Sequence, residues 1–104
     1  MPYADPLTDD ELAAALGGLP EWTHDGVFLR RSVKVAGFTA AADLVREVAD
    51  AANAADHHPD VHITGYRHVA FELTTHAAGA ITRRDTELAA EIDGLISRVE
   101  APGT

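Results

Sequence analysis

Five of the six histidines in this 104-residue chain fall between positions 57 and 76: His57, His58, His62, His68 and His76. Imidazole changes charge near neutral pH, so several of them converging on one pocket make a proton-transfer site. The densest part is His57-His58-Pro59. Three readings of His57, His58 and His76 stand open on the residues alone. They could exchange protons with a substrate. They could bind a metal, although adjacent histidines point in different directions and share one ion poorly, and no HExxH pair is present. Or His57 and His58 are a solvated helix end, favourable for the C-terminal dipole when protonated, and His76 is a polar residue ending a strand. The other histidines weigh less. His62 and His68 alternate onto a polar strand face and read as surface, and His24 sits beside a turn. Trp22 reads as core, Asp85 as a capping residue, and Arg83 and Arg84 as solvated.

Several chemistries are excluded by what the chain lacks. With no Cys there is no disulfide, thiol nucleophile or thiolate metal site. Gly17-Gly18 lacks the Lys and Ser/Thr of a phosphate-binding loop, and no spacing argues for a Ser-His-Asp arrangement. Seventeen acidic against eight basic residues give a net charge of −9, which argues against nucleic acid as a direct ligand. No apolar run approaches the ~18 residues that span a bilayer. Met1-Pro2-Tyr3-Ala4-Asp5 has no basic flank and no apolar stretch, so no signal peptide is read. These features point to a cytoplasmic protein of one domain, residues 1–104, with 46% hydrophobic and 24% charged residues as in ordinary globular chains.

The elements that must position the histidines follow from caps and periodicity. Thr8 with Glu11 forms a capping box, and Leu7 and Leu12 occupy staple positions. Gly17-Gly18 is expected to close this first helix with a left-handed residue. Asp25-Gly26 predicts a hairpin between Glu21-Trp22-Thr23 and a strand from Val27 to Val35. On that strand Val27, Leu29, Val33 and Val35 share a face, which Arg31 interrupts, so that strand end is expected to be less buried. A long Ala-rich helix, 39–55, is expected to be capped by Thr39 and to end because Pro59 holds His58 extended. Its alanines allow close approach by the sheet or by the same helix of a second subunit. Val61 and Ile63 face inward on a third strand. On the fourth, 67–76, Val69, Phe71, Leu73 and Thr75 face inward and His76 ends the strand on the other face. Thr82 opens a last helix with the stripe Leu88, Ile92, Leu95, Ile96 and Val99, stopped by Pro102-Gly103. The order is α-β-β-α-β-β-α: an α+β fold with a four-stranded, mainly antiparallel sheet and helices on one face.

Taken together, Ala55-Asp56-His57-His58-Pro59-Asp60, Tyr66, Leu73-Thr74-Thr75-His76 and Gly79-Ala80-Ile81-Thr82-Arg83-Arg84-Asp85 resemble the pterin-4a-carbinolamine dehydratase family, also called 4a-hydroxytetrahydrobiopterin dehydratase. His-His-Pro, an aromatic seven residues on, a His ten after that and an Asp nine further make a composite pattern. Leu19-Pro20-Glu21-Trp22, Phe38 and Leu88-Ala89-Ala90-Glu91-Ile92-Asp93 extend it over roughly residues 15 to 99. The resemblance implies the same α-β-β-α-β-β-α fold, a homodimer or homotetramer, and a metal-free dehydration with a pterin as substrate and no cofactor. It implies His57, His58 and His76 as the catalytic set, with His57 and His76 as the acid–base pair and His58 orienting the pterin. Asp56, Thr74, Thr75, His76 and Ala77 would line the pterin pocket with His57 and His58.

The chain departs from the family pattern at Asn53, where an acid is common, at Val61, where an aromatic is usual, at Arg67 for Asn, at Ala77 for an acid and at Ala80 for Gly. Such changes alter how a pocket tunes imidazoles and holds a pterin. They leave a second function to set beside the enzyme: a non-catalytic pterin-binding or dimerisation module that pairs through helix 39–55.

Overall fold

A computed structural model describes residues 5–100; the expectations for Met1–Ala4 and for Pro102-Gly103 lie outside the described residues. The elements run α1 (Asp9–Gly17), β1 (Thr23–His24), β2 (Leu29–Lys34), α2 (Phe38–Ala55), β3 (Asp60–Thr64), β4 (His68–Leu73) and α3 (Arg83–Glu100). The four strands form one antiparallel sheet in the order β1-β2-β4-β3. Alternation decides its faces. Leu29 and Val33 of β2 and Val69, Phe71 and Leu73 of β4 are buried against Ala41, Leu44, Val48 and Ala52 of α2 and Leu88, Ala89, Ile92 and Ile96 of α3. Val61 and Ile63 are partly buried at the margin of that core. The helices therefore cover one face, as the α+β reading requires. No helix among the described residues is long and apolar enough to cross a membrane.

Local chemistry sets the helix ends, not always as expected. The Thr8–Glu11 capping box forms in both directions, at 3.1 and 2.8 Å. Gly18, however, closes α1 at φ −93°, not in the left-handed region. Tight bonds from Gly18 N–H to Ala15 O and from Leu19 N–H to Leu16 O, both 3.0 Å, satisfy the last carbonyls without it. α2 begins one residue before Thr39, with Gly37 as its cap and no side-chain bond there. It ends at Ala55, ahead of any influence from Pro59. Asp56 turns left-handed (φ 50°, ψ 43°), and the His57 amide donates back to Ala52 O at 3.1 Å.

Three strand expectations are corrected as well. β1 is only Thr23–His24, and Val27 stays 51% exposed because it sits in the turn. There Asp25 Oδ1 accepts from the amides of Val27 and Phe28, while Gly26 takes the positive φ of 95°. β4 stops at Leu73, so His76 lies in the turn that follows, between the bridge partners Thr75 and Ala80. On α3, Val99, at the end of the stripe, is 37% exposed.

Arg31 does not mark a less buried strand end. Its side chain is 12% exposed and its Nη1 donates to Asp93 Oδ1 of α3 at 2.5 Å. Trp22, which is core as expected, donates its indole N–H to the same oxygen at 2.7 Å. Asp93 thus ties β2 and the segment before β1 to α3, the helix whose first turn enters the candidate site. Asp93→Ala would leave both donors without this acceptor. It is expected to lower the unfolding free energy by about 1–3 kcal/mol, read as a lower urea midpoint with an unchanged slope.

The uncovered sheet face is polar. Glu72 of β4 lies between Arg30 of β2 (2.5 Å) and His62 of β3 (3.2 Å), and Arg30 also pairs with Asp25. The Arg30 guanidinium first, and His62 second, hold the Glu72 carboxyl below its ordinary value of 4.5. A carboxyl with a lower pKa in the folded state contributes stability that is complete above its unfolded pKa. That stability is lost as pH falls through the folded value. In Glu72→Gln, urea midpoints are expected to fall less steeply below about pH 4.5 than in the wild type. Parallel curves for the two proteins would contradict this.

Candidate active site

The end of α2 and the start of α3 meet below the C-terminal end of β4. The left-handed Asp56 swings the chain so that His57 points back under the sheet, leaving its side chain 10% exposed. Across from it, Thr82 caps α3: its Oγ1 accepts from the Arg84 amide at 3.2 Å. Asp85 completes the reciprocal cap, with Oδ2 accepting from the Thr82 amide at 2.9 Å and from the Thr75 hydroxyl at 2.7 Å. Its other oxygen, Oδ1, lies 2.6 Å from His57 Nε2. A carboxylate oxygen accepts, so this bond calls for a proton on Nε2; in the neutral ring Nδ1 is then the acceptor. The Asp85 side chain is fully buried. Its oxygens are satisfied by the imidazole N–H beside it and by the donors behind it.

An open cleft of about 250 Å³ lies over this pair, lined by Asp56, His57, His58, Thr74, Thr75, His76, Ala77 and Arg84. Asp56, His57, His58, Thr74, Thr75, His76 and Ala77, the seven positions singled out in the sequence, are brought together here. His76 is exposed at the cleft, and Thr74 is buried with no hydrogen-bond partner for its hydroxyl among the described residues. His58 turns the other way from His57. Its Nε2 is 3.0 Å from Asn53 Oδ1, and its ring also borders a smaller apolar hollow between α2 and β3 with Val45, Ala49, Pro59 and Val61.

Two residues of this site were read as something less. Asp85 is expected first as a helix cap; it does cap, and it also holds His57. The interval from His76 to Asp85 in the family pattern was the available signal. Arg84 was read as solvated, but its Nη2 donates to Asp56 O (2.7 Å) and Ala55 O (3.4 Å). It thereby fastens the end of α2 to the first turn of α3, and no sequence motif announces that. Conversely, Arg67 and Tyr66 lie at the β3–β4 turn, at the opposite end of β4 from His76. There Arg67 Nε donates to Val35 O at 3.0 Å, so its departure from the family pattern does not alter the cleft. Of the other departures, Ala77 lines the cleft and Asn53 reaches it through His58. Among the described residues no group of three or more His, Cys, Asp or Glu side chains is placed to hold a metal ion.

The family model for pterin 4 alpha carbinolamine dehydratase matches residues 5–95, the span that contains the whole cleft. The chain belongs to this family. It is 49% identical over 92 residues to a protein of Mycobacteroides abscessus provisionally named pterin-4-alpha-carbinolamine dehydratase, covering 88% of this chain and 97% of that one. A protein of Nocardia farcinica with the same provisional name is 48% identical over 89 residues, covering 86% and 93%. Among solved structures, a transcriptional coactivator/pterin dehydratase from Brucella melitensis superposes with a TM-score of 0.82 at 28% identity, covering 88% of this chain and 98% of that one. A pterin dehydratase-like protein described as a RuBisCO assembly factor of the alpha-carboxysome shares the fold alone, with a TM-score of 0.58 at 15% identity. The dehydratase fold, with its α-β-β-α-β-β-α order, is therefore the fold of this chain.

Proposed function

We propose that the protein removes water from a 4a-hydroxytetrahydropterin, giving the quinonoid dihydropterin, as in tetrahydrobiopterin recycling. The observation that carries this reading is the His57–Asp85 pair, at 2.6 Å, set in a cleft that His58 and His76 also line. The reaction needs one proton delivered and one removed. The C4a–O bond breaks as the hydroxyl gains a proton and departs as water. A ring N–H loses its proton, and that electron pair becomes the new C=N bond. Charge balances and nothing is oxidised, so two imidazoles suffice. His57 is the base: Nδ1 takes the ring proton, and Asp85 beside Nε2 stabilises the imidazolium that forms. His76, at the open side, protonates the leaving hydroxyl. His58, held by Asn53, orients the pterin, with Asp56, Thr74, Thr75 and Ala77 shaping its pocket. The chemistry requires neither a metal nor a cofactor.

The enzyme works in this reading as a cytoplasmic homodimer or homotetramer. The apolar hollow beside Val45 and Ala49 supports a subunit contact along α2. The same surface would serve the second reading, a pterin-binding or dimerisation module without turnover. The two readings separate in one assay. Purified protein mixed with enzymatically generated 4a-hydroxytetrahydropterin should accelerate its dehydration saturably over the uncatalysed background. A folded protein that leaves the background rate unchanged favours the module, and a charge at Ala49 (Ala49→Asp) should then alter its assembly.

A further inference from the structure

The hydrogen bonds behind Asp85 can run in one direction only. The Arg84 amide donates to Thr82 Oγ1 at 3.2 Å. Thr82 Oγ1 lies 2.8 Å from Thr75 Oγ1, which lies 2.7 Å from Asp85 Oδ2. A carboxylate accepts, so the Thr75 hydroxyl proton is committed to Asp85. The oxygen of Thr75 must then accept, and the Thr82 hydroxyl must donate. All three side chains are buried: Thr75 is 5% exposed and Thr82 and Asp85 are 0%, so water has little room to substitute for any member. Oδ2 thus receives two fixed donors, the Thr75 hydroxyl and the Thr82 amide. This holds the carboxylate plane and turns Oδ1 toward His57 Nε2.

We propose that Thr75 and Thr82 are positioning residues: their hydroxyl relay locks Asp85 so that His57 keeps its proton on Nε2 and presents Nδ1 to the cleft. The inference rests on the reading of His57 as the proton acceptor. It gives Thr75 a role beyond lining the cleft, because its one hydroxyl proton is committed to Asp85, so that Thr75 influences the substrate through Asp85 and His57.

The test compares Thr75→Val, which keeps the shape and removes the relay, with Thr75→Ser, which keeps the hydroxyl. In Thr75→Val, kcat for 4a-hydroxytetrahydropterin dehydration should fall roughly 10- to 100-fold with KM within about twofold of wild type. Thr75→Ser should return kcat to within about threefold. The second readout needs no substrate: nitrogen-15 NMR of the His57 ring in the ligand-free protein. Wild type and Thr75→Ser should show a single tautomer protonated on Nε2, and Thr75→Val a mixture of both. A folded Thr75→Val with the wild-type tautomer signature overturns the relay, whether or not the wild type turns over a pterin. Equal losses in Thr75→Val and Thr75→Ser overturn it too, since the hydroxyl would then be irrelevant. If the wild type shows no turnover but Thr75→Val mixes the tautomers, the functional reading fails and the relay is supported. Should Thr75→Val not fold, Thr82→Val replaces it: mixed tautomers there support the relay, and an unchanged ring overturns it.

Discussion

His57→Ala is expected to lower kcat/KM for 4a-hydroxytetrahydropterin dehydration by roughly 10²–10⁴-fold and to leave the unfolding midpoint within a few degrees of wild type. The rate falls because the group removed is an imidazole paired with a buried carboxylate, 2.6 Å away. Stability changes little because the His57 side chain opens onto the cleft, so water can enter the vacated space and donate to Asp85 Oδ1. His58→Ala is the informative control. Its ring is exposed and bonded to an amide, not a carboxylate, so its loss should appear mainly in KM. A His57→Ala variant within tenfold of wild type would remove His57 from the chemistry.

The second large effect is expected at Asp85, where activity and stability separate by the choice of substitution. In Asp85→Asn the amide oxygen must take the place of Oδ2, because the Thr75 hydroxyl and the Thr82 amide both donate there. The amide NH2 then faces His57 Nε2, which has to accept. That moves the ring proton to Nδ1, the nitrogen that should receive a proton from the substrate. A rate loss of roughly 10²–10⁴-fold is expected, with a stability cost of only about 1–3 kcal/mol. Asp85→Ala removes the acceptor altogether and strands three donors, the Thr75 hydroxyl, the Thr82 amide and His57 Nε2–H. Its cost in stability should be larger, about 3–5 kcal/mol, seen as a clear fall in the urea midpoint. Full activity in Asp85→Asn would contradict the assigned tautomer.

How much of this was legible in the sequence depends on the range over which each signal acts. The Thr8–Glu11 box, the Asp25-Gly26 turn and the stripe through Leu88, Ile92 and Ile96 are local, and each appears where its residues put it. The histidine cluster was legible for a different reason. His57-His58-Pro59 and Thr75-His76 lie at the ends of neighbouring elements, and the α+β topology brings those ends to one place. Errors arose where distant partners decide. Arg31 read as a break in an apolar face because its partner, Asp93, lies 62 residues away on α3. Arg84 read as solvated because its acceptors are main-chain carbonyls exposed only once α2 terminates at Asp56. Asp85 already had a sufficient local explanation as a cap, which hid its second bond. α2 ends close to the expected place for a different reason: a left-handed Asp56, not Pro59, stops the helix. Left-handed aspartates are uncommon enough that composition alone does not announce one.

Whether His57 and His76 divide the proton transfers of a pterin dehydration is tested by one kinetic comparison. Wild type, His57→Ala and His76→Ala, each shown folded by circular dichroism, would be mixed with freshly generated 4a-hydroxytetrahydropterin and followed by absorbance. Rapid saturable dehydration by the wild type is expected, with a loss of roughly 10²-fold or more in each single variant. Dehydration by the wild type no faster than the uncatalysed background, or full activity retained in both variants, would contradict it.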